Sequence, residues 1–278
     1  MSVSILKKGI ADSLQNKGSY GLQHMGVQPG GYMDYLSAHL ANYILGNPSH
    51  SEVYEIHFPV SHFQFNTNTY ICITGAHFVP VINDKSIPMH TPIKVHKGDI
   101  LQFLQPLQGR IGYIAFNEYF NNEKQGQITQ DYKTVVEFIE HQIFDTQAFH
   151  FIPGPAWNDL TPDAIHQLLH SSFETTLQSN RMGFQLSGPL LSTLSNKSYL
   201  SSAVTRGTMQ LLPNGNIIVL MADHQTIGGY PNIGQIILVD LPRLAQTVAN
   251  SKIHFCISNV QKAHEQYKSI QEKFADRS

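Results

Sequence analysis

The chain has 278 residues, a formal net charge of -2 and 14% charged side chains, against about 25% in an ordinary soluble domain. That length supports one large or two medium domains with ample core. The charge balance gives no electrostatic case for binding nucleic acid or an anionic membrane.

No apolar stretch approaches the roughly 18 residues of a membrane-spanning helix. The N-terminal MSVSILKKGI lacks the apolar centre of a signal peptide. A cytoplasmic location is therefore expected. The low charge fits a surface partly buried against a partner. It fits equally a surface kept wet by the plentiful Asn, Gln and Ser.

In chain order, residues 2–10 read as a first strand. Residues 11–33 form a polar loop with Gly18, Gly21, Gly26, Gly30 and Gly31. A loop of that length rarely lacks a purpose. Asp34 is placed to cap a helix over about 35–45, with an apolar stripe of Leu36, Leu40, Ala41, Ile44 and Leu45 and a stop at Gly46-Asn47-Pro48. From 53 to 116 short apolar runs alternate with turn residues, the pattern of a barrel or sandwich.

The polar stretch NNEKQGQITQDYK reads as a connector, and TVVEFIEHQIF as a strand or a short helix. A strand is predicted at 149–155. Thr161-Pro162-Asp163 starts a helix reaching about His170. Strands and turns then alternate to 239, Asp240 is placed to cap LPRLAQTVA, and 253–257 closes the sheet. The tail from Asn259 to Ala275 is predicted helical, with Val260, Ala263, Tyr267, Ile270 and Phe274 on one face. It is expected to dock on its own domain or on a second copy. The expected organisation is a lobe over 1–120 that includes the glycine loop, a connector over 121–148, a second lobe over 149–258 and a terminal helix over 259–278.

Cys72 and Cys256 both lie in apolar runs and are expected as core residues of a reducing compartment. Fifteen histidines invite a metal site, but there is no HExxH and no CxxC, and no metal is expected. P-loop, GxGxxG and GxSxG motifs are absent.

The segment Met221 to Gln246 stands apart. A strand-like run, Ile217 to Met221, delivers Asp223, His224, Gln225 and Thr226 to a Gly-Gly-Tyr-Pro turn. Gly228 and Gly229 suit a left-handed turn or the close approach of another group. The segment is either a site or a β-bulge or hairpin whose polar residues face water.

LQNKGSYGLQHMGVQPGGYMDYLSAHLANYILGNP, PGPAWNDLTPDAI, QSNRMGFQLSGP and LMADHQTIGGYPNIGQIILVDLPRLAQ together resemble the KipA-type family. This is also called allophanate hydrolase subunit 2 or the carboxyltransferase A/B domain, and it includes the C-type subunit of ATP-dependent 5-oxoprolinase. The resemblance implies a mainly β, α+β fold of cyclophilin-like, two-lobed β-barrel architecture with helices at the rims. It implies pairing with a KipI-type subunit and, in 5-oxoprolinase, with a third subunit. The reaction implied is ATP-driven opening of the lactam 5-oxoproline to glutamate, with Mg accompanying ATP. Related members transfer a carboxyl group from carboxybiotin to urea, and others regulate a sensor kinase by contact. Biotin attachment is not expected here, because no Ala-Met-Lys-Met context occurs.

The chain departs from the family pattern at Asn16, Ser19 and Gly30, and it lacks the family's Gly-Ser-Arg-Ser-Thr middle motif. Candidate catalytic residues are Gln225, to hold a carbonyl or amide, His224, as acid or base, and Arg181, to grip an anion. Arg181 serves equally as a salt bridge within its lobe. Thr226, Gly228, Gly229, Tyr230, His24 and Glu55 are candidates for contact with the substrate. Tyr230 and Pro231 suit a pocket wall, although a core tyrosine is as compatible.

Overall fold

The computed structural model describes residues 3–117, 128–129, 132–144, 148–195 and 198–275. The fold is mainly β with helices beside the sheets, the class expected from sequence. It divides into two compact units. One comprises Met1–Lys17 and Asp34–Phe144, the other Gly18–Met33 and Asp145–Ser278. The glycine loop, adjacent in sequence to the first lobe, thus packs in the second unit.

The first unit contains two five-stranded sheets. One runs in the order Val3–Lys7, His62–Phe65, Ile100–Phe103, Pro80–Ile82 and Lys85–Ser86. The other runs Ser13–Gln15, Val53–His57, Gln108–Phe116, Thr69–His77 and Ile93–Val95. Alternation along these strands turns Phe63, Phe65, Leu101, Ile56, Ile71, Ile73 and Ile114 into one shared core. Tyr54 meets Phe63 edge-on across it, ring centroids 5.2 Å apart.

The Tyr35–Leu45 helix lies on the second sheet with nine of its eleven residues buried, so its inner face must be apolar. Asp34 caps it as predicted: its Oδ1 accepts from Ser37 N at 2.9 Å, and Gly46 ends it in the left-handed region at φ 76°. The undecided TVVEFIEHQIF segment is helical, Lys133–Phe144, with Val135, Ile139 and Ile143 buried at helical spacing. The connector NNEKQGQITQDYK falls mostly outside the described residues.

A buried polar chain runs through this unit. The Tyr113 hydroxyl accepts from Asp34 N at 2.7 Å and donates to Glu55 Oε2 at 2.8 Å. Asp34, Glu55 and Tyr113 are each 0% exposed. Burial is the main cause that pushes the Tyr113 phenol well above its ordinary pKa, and Glu55 and Asp34 add to it, so the hydroxyl stays protonated and able to donate.

The second unit is built on a closed barrel. Its strands run Ala148–Pro153, Asn232–Ile236, Thr208–Leu211, Ile217–Leu220, Gly183–Ser187, Phe173–Thr175 and Lys252–Ile257, and the last pairs in parallel with the first. Closure removes the free strand edges. Phe149, Phe151, Phe173, Phe184 and Phe255 fill the core. The Pro162–His170 helix begins as predicted, with Thr161 Oγ1 accepting from Ala164 N at 3.1 Å. The terminal helix, Val260–Ala275, docks beside the Leu238–Asp240 turn of its own unit and buries Ile270 to 2% exposure.

Two expectations are corrected. Cys256 is exposed, not core. The strand buries Ile253 and Phe255, so a period of two sends Cys256 outward. Asp240 makes no cap bond. Its carboxylate instead accepts from His150 N at 2.6 Å and lies 2.9 Å from Arg243 Nη2. Those ionic and backbone partners satisfy it in place of the helix N-terminus.

Candidate functional site

The candidate segment leaves the barrel at Met221, whose N–H donates to Met182 O at 3.0 Å. It does not turn straight back as a hairpin. Residues Ile227–Gly228 first pair with Ser202–Ala203 as a small ribbon, and only then does the chain re-enter the barrel at Asn232. The ribbon covers Gln210, which is 1% exposed although strand alternation sets it opposite core-facing Met209.

Gly228 accommodates this close approach. A Cβ there would stand 2.5 Å from Gln210 Nε2, and neither Gly228 nor Gly229 has positive φ. Of the two roles open to these glycines, Gly228 therefore serves close approach. Gln225 Nε2 reaches Gln210 Oε1 at 3.5 Å, a long contact. The buried Gln210 Nε2 has no hydrogen-bond partner.

Asp223 and Arg181 form a two-point ion pair. Arg181 Nε lies 2.7 Å from Asp223 Oδ2 and Nη2 lies 2.8 Å from Oδ1. Nη2 also donates to Gly31 O at 2.8 Å. The guanidinium thus fills the salt-bridge role and anchors the glycine loop to the turn. Arg206 does the same from the neighbouring segment, donating to Tyr32 O at 2.7 Å and to Met33 O. Exchanging Arg181 for Met should cost about 2 kcal/mol of unit stability, the scale of lost charge-assisted bonds. Protease cutting within residues 19–29 should accelerate. Unchanged urea stability and cutting would mean that this ion pair does not hold the loop.

His224 is buried, 2% exposed. Its Nδ1 lies 2.6 Å from Gln225 O. A carbonyl only accepts, so the proton is assigned to Nδ1 and Nε2 carries a lone pair. Burial is the main cause that holds the ring below its ordinary pKa. The Gln225 bond and Asp223 pull it partly back, and Arg206 lowers it further. A neutral imidazole of this tautomer can receive a proton at Nε2 near neutral pH.

On the other side of the turn, Gly229, Tyr230 and Pro231 join Leu191, Ser192, Tyr199 and Leu211 around a cleft of about 580 Å³. Tyr230 is 46% exposed, a wall residue and not a core one. Among the described residues, the cleft's lining is uncharged, made of Leu, Ser, Thr, Tyr, Pro and Gly.

The structure therefore brings Arg181, His224, Gln225, Thr226, Gly228, Gly229 and Tyr230 into one neighbourhood of the second unit. His24 is exposed in a short helical turn of the glycine loop in that unit. Glu55 belongs to the first unit and is buried against Tyr113, with His57 Nε2 at 3.6 Å, so there it serves the core. Gln210 and Arg206 went unmarked in the sequence. A glutamine inside the otherwise apolar MQLL run was the one available signal. Among the described residues, no group of three or more His, Cys, Asp or Glu is placed to hold a metal ion. No described helix is long and apolar enough to cross a membrane.

A family model for the carboxyltransferase domain, subdomain A and B, matches residues 25–127 and 121–257. The chain belongs to this carboxyltransferase-domain family. It is 29% identical to the C-type subunit of 5-oxoprolinase from Haemophilus influenzae and 25% identical to that from Escherichia coli, each over 94% of this chain and 93% of the relative. The crystal structure of the K. lactis urea amidolyase superposes with a TM-score of 0.85 at 20% identity, over 99% of this chain. This chain spans only 20% of that one, and the likeness is one of fold.

Proposed function

We propose that this family member is a subunit of an ATP-dependent 5-oxoprolinase-type amidohydrolase, working with a KipI-type subunit and a third subunit. The observation that carries this reading is the near end-to-end match to the C-type 5-oxoprolinase subunits, 93% of each relative. The turn at 223–230 supplies suitable chemistry. The Gln225 amide orients the lactam carbonyl, and His224 Nε2 takes the proton from an attacking water. Arg181 keeps the turn and glycine loop in register rather than touching substrate. The sequence carries no P-loop or dinucleotide motif, so this reading assigns ATP and its Mg to another subunit of the assembly.

The test is ATP-dependent formation of glutamate from 5-oxoproline by the three co-expressed subunits. Gln225→Ala should lower kcat about 100-fold, within the range for a lost positioning or proton-transfer group, while the complex still co-purifies. Wild-type assembly without turnover would overturn the reading.

The urea amidolyase fold likeness favours one second reading, carboxyl transfer from a biotin carrier. Activity on urea that avidin abolishes would establish it in place of lactam opening.

A further inference from the structure

The outer wall of the barrel carries a side-chain cluster with no part in that chemistry. Strands Ala148–Pro153 and Lys252–Ile257 run parallel, with His150 in register with Cys256 and Ala148 with His254. Phe149, Phe151, Ile253 and Phe255 are buried. The alternate residues His150, His254 and Cys256 therefore share the opposite, outward face. Neighbouring strands lie about 4.8 Å apart, so the His150 and Cys256 side chains leave the sheet at adjacent positions on that face. With the His150 ring kept on Asp240, rotation of the Cys256 side chain is the movement that would carry Sγ toward Nε2.

The ring is oriented from behind. His150 Nδ1 lies 3.0 Å from Asp240 Oδ2. With an ionised carboxylate as acceptor, the proton sits on Nδ1 and Nε2 presents its lone pair. Asp240 is itself fixed: it accepts from His150 N at 2.6 Å and pairs with Arg243 Nη2 at 2.9 Å, and its side chain is 8% exposed. Arg243 is held in turn over the Phe149 ring, 4.8 Å from its centroid. A thiol, an imidazole and a carboxylate thus follow one another, the order that turns a thiol into a nucleophile.

We propose that Cys256 is a thiol-modification site of this protein, with His150 as its base and Asp240 as the positioning residue, and that its co-reactants are hydroperoxides. The Cys256 proton passes to His150 Nε2. The thiolate attacks the terminal peroxide oxygen, the S–O bond forms and the O–O bond breaks. The departing alkoxide or hydroxide takes the proton from His150. Cys256 is oxidised to the sulfenic acid, and the peroxide is reduced to an alcohol or water.

The chain's other cysteine supplies a built-in control. Cys72 is buried at 0% exposure, and burial pushes its thiol far above its ordinary pKa, so it stays inert while the protein is folded.

The experiment treats the full chain with hydrogen peroxide and dimedone at neutral pH and follows labelling at each cysteine by peptide mass. Cys256 should label and Cys72 should not. His150→Gln should slow Cys256 about tenfold, as expected for losing the neighbouring proton acceptor, with Cys72 still protected. Should that variant unfold and expose Cys72, Asp240→Asn carries the comparison, because it keeps the ring and removes the carboxylate charge behind it, with Cys72 protection again reporting whether the fold survives the loss of the Arg243 pair. Equal Cys256 rates in wild type and variant with Cys72 protected would overturn the proposal. So would a wild-type Cys256 that does not label.

Discussion

Lowering the pH from 7 to 4.5 is expected to remove about 2.5 kcal/mol of first-unit stability for each of His39 and His90. Both rings are held down to about 4, mainly by burial, with His50 adding to the effect on His39 and His77 to that on His90. The unfolded chain, with histidines near 6.5, binds protons that the folded unit refuses. Stability is therefore complete above 6.5 and is lost as the pH falls toward 4. Glu140, whose Oε1 faces His90 Nδ1 at 3.2 Å, acts in the opposite sense, because burial raises its pKa. Urea unfolding at pH 7, 5.5 and 4.5 measures the slope. His39→Gln combined with His90→Asn should flatten most of it, and Asn tolerates the left-handed φ of 54° at position 90. A double variant as acid-sensitive as wild type would sink this account.

Tyr113→Phe should destabilise the same unit by about 3 kcal/mol. The exchange keeps the ring and its packing. It removes one oxygen that serves two fully buried partners, Asp34 N–H at 2.7 Å and Glu55 Oε2 at 2.8 Å. A buried group deprived of its partner costs about 1–3 kcal/mol, more when charged. Tyr113→Phe combined with Glu55→Gln should recover part of the loss, because a neutral amide is cheaper to bury than an unsatisfied carboxylate. Equilibrium unfolding of the two single variants and the double variant closes the cycle. A loss below about 1 kcal/mol for Tyr113→Phe would mean that the hydroxyl is not the joint between strand and helix.

Local chemistry made much of this structure legible. Asp34, Thr161 and Gly46 act within four residues of their own positions, so their caps could be read directly. The repeated short apolar runs from 53 to 116 marked a sheet-rich unit because strand burial has a period of two. Barrel closure was another matter: it depends on Ala148–Pro153 meeting Lys252–Ile257, about a hundred residues away. The same distance hid the environment of Cys256, since HFCIS reads as apolar whichever face points inward.

In the candidate site, the glycine turn was visible, but Gln210 beneath Gly228 was not. That contact joins two strands whose register no local pattern fixes. Arg181 illustrates the same limit. A guanidinium beside a glycine reads equally well as an anion grip or a strut, and only the position of Asp223 separates them.

The chain passes from the first unit into the second at residue 18, returns at 34 and leaves again after 144. The C-terminal unit is consequently not a detachable cassette. A fragment starting near residue 145 would lack the carbonyls of Gly31, Tyr32 and Met33, so Arg181 would keep Asp223 but lose the glycine loop, and Arg206 would lose both of these backbone acceptors. Gene fusion or rearrangement can move the pair only as one inheritance, and splitting it requires three breaks rather than one.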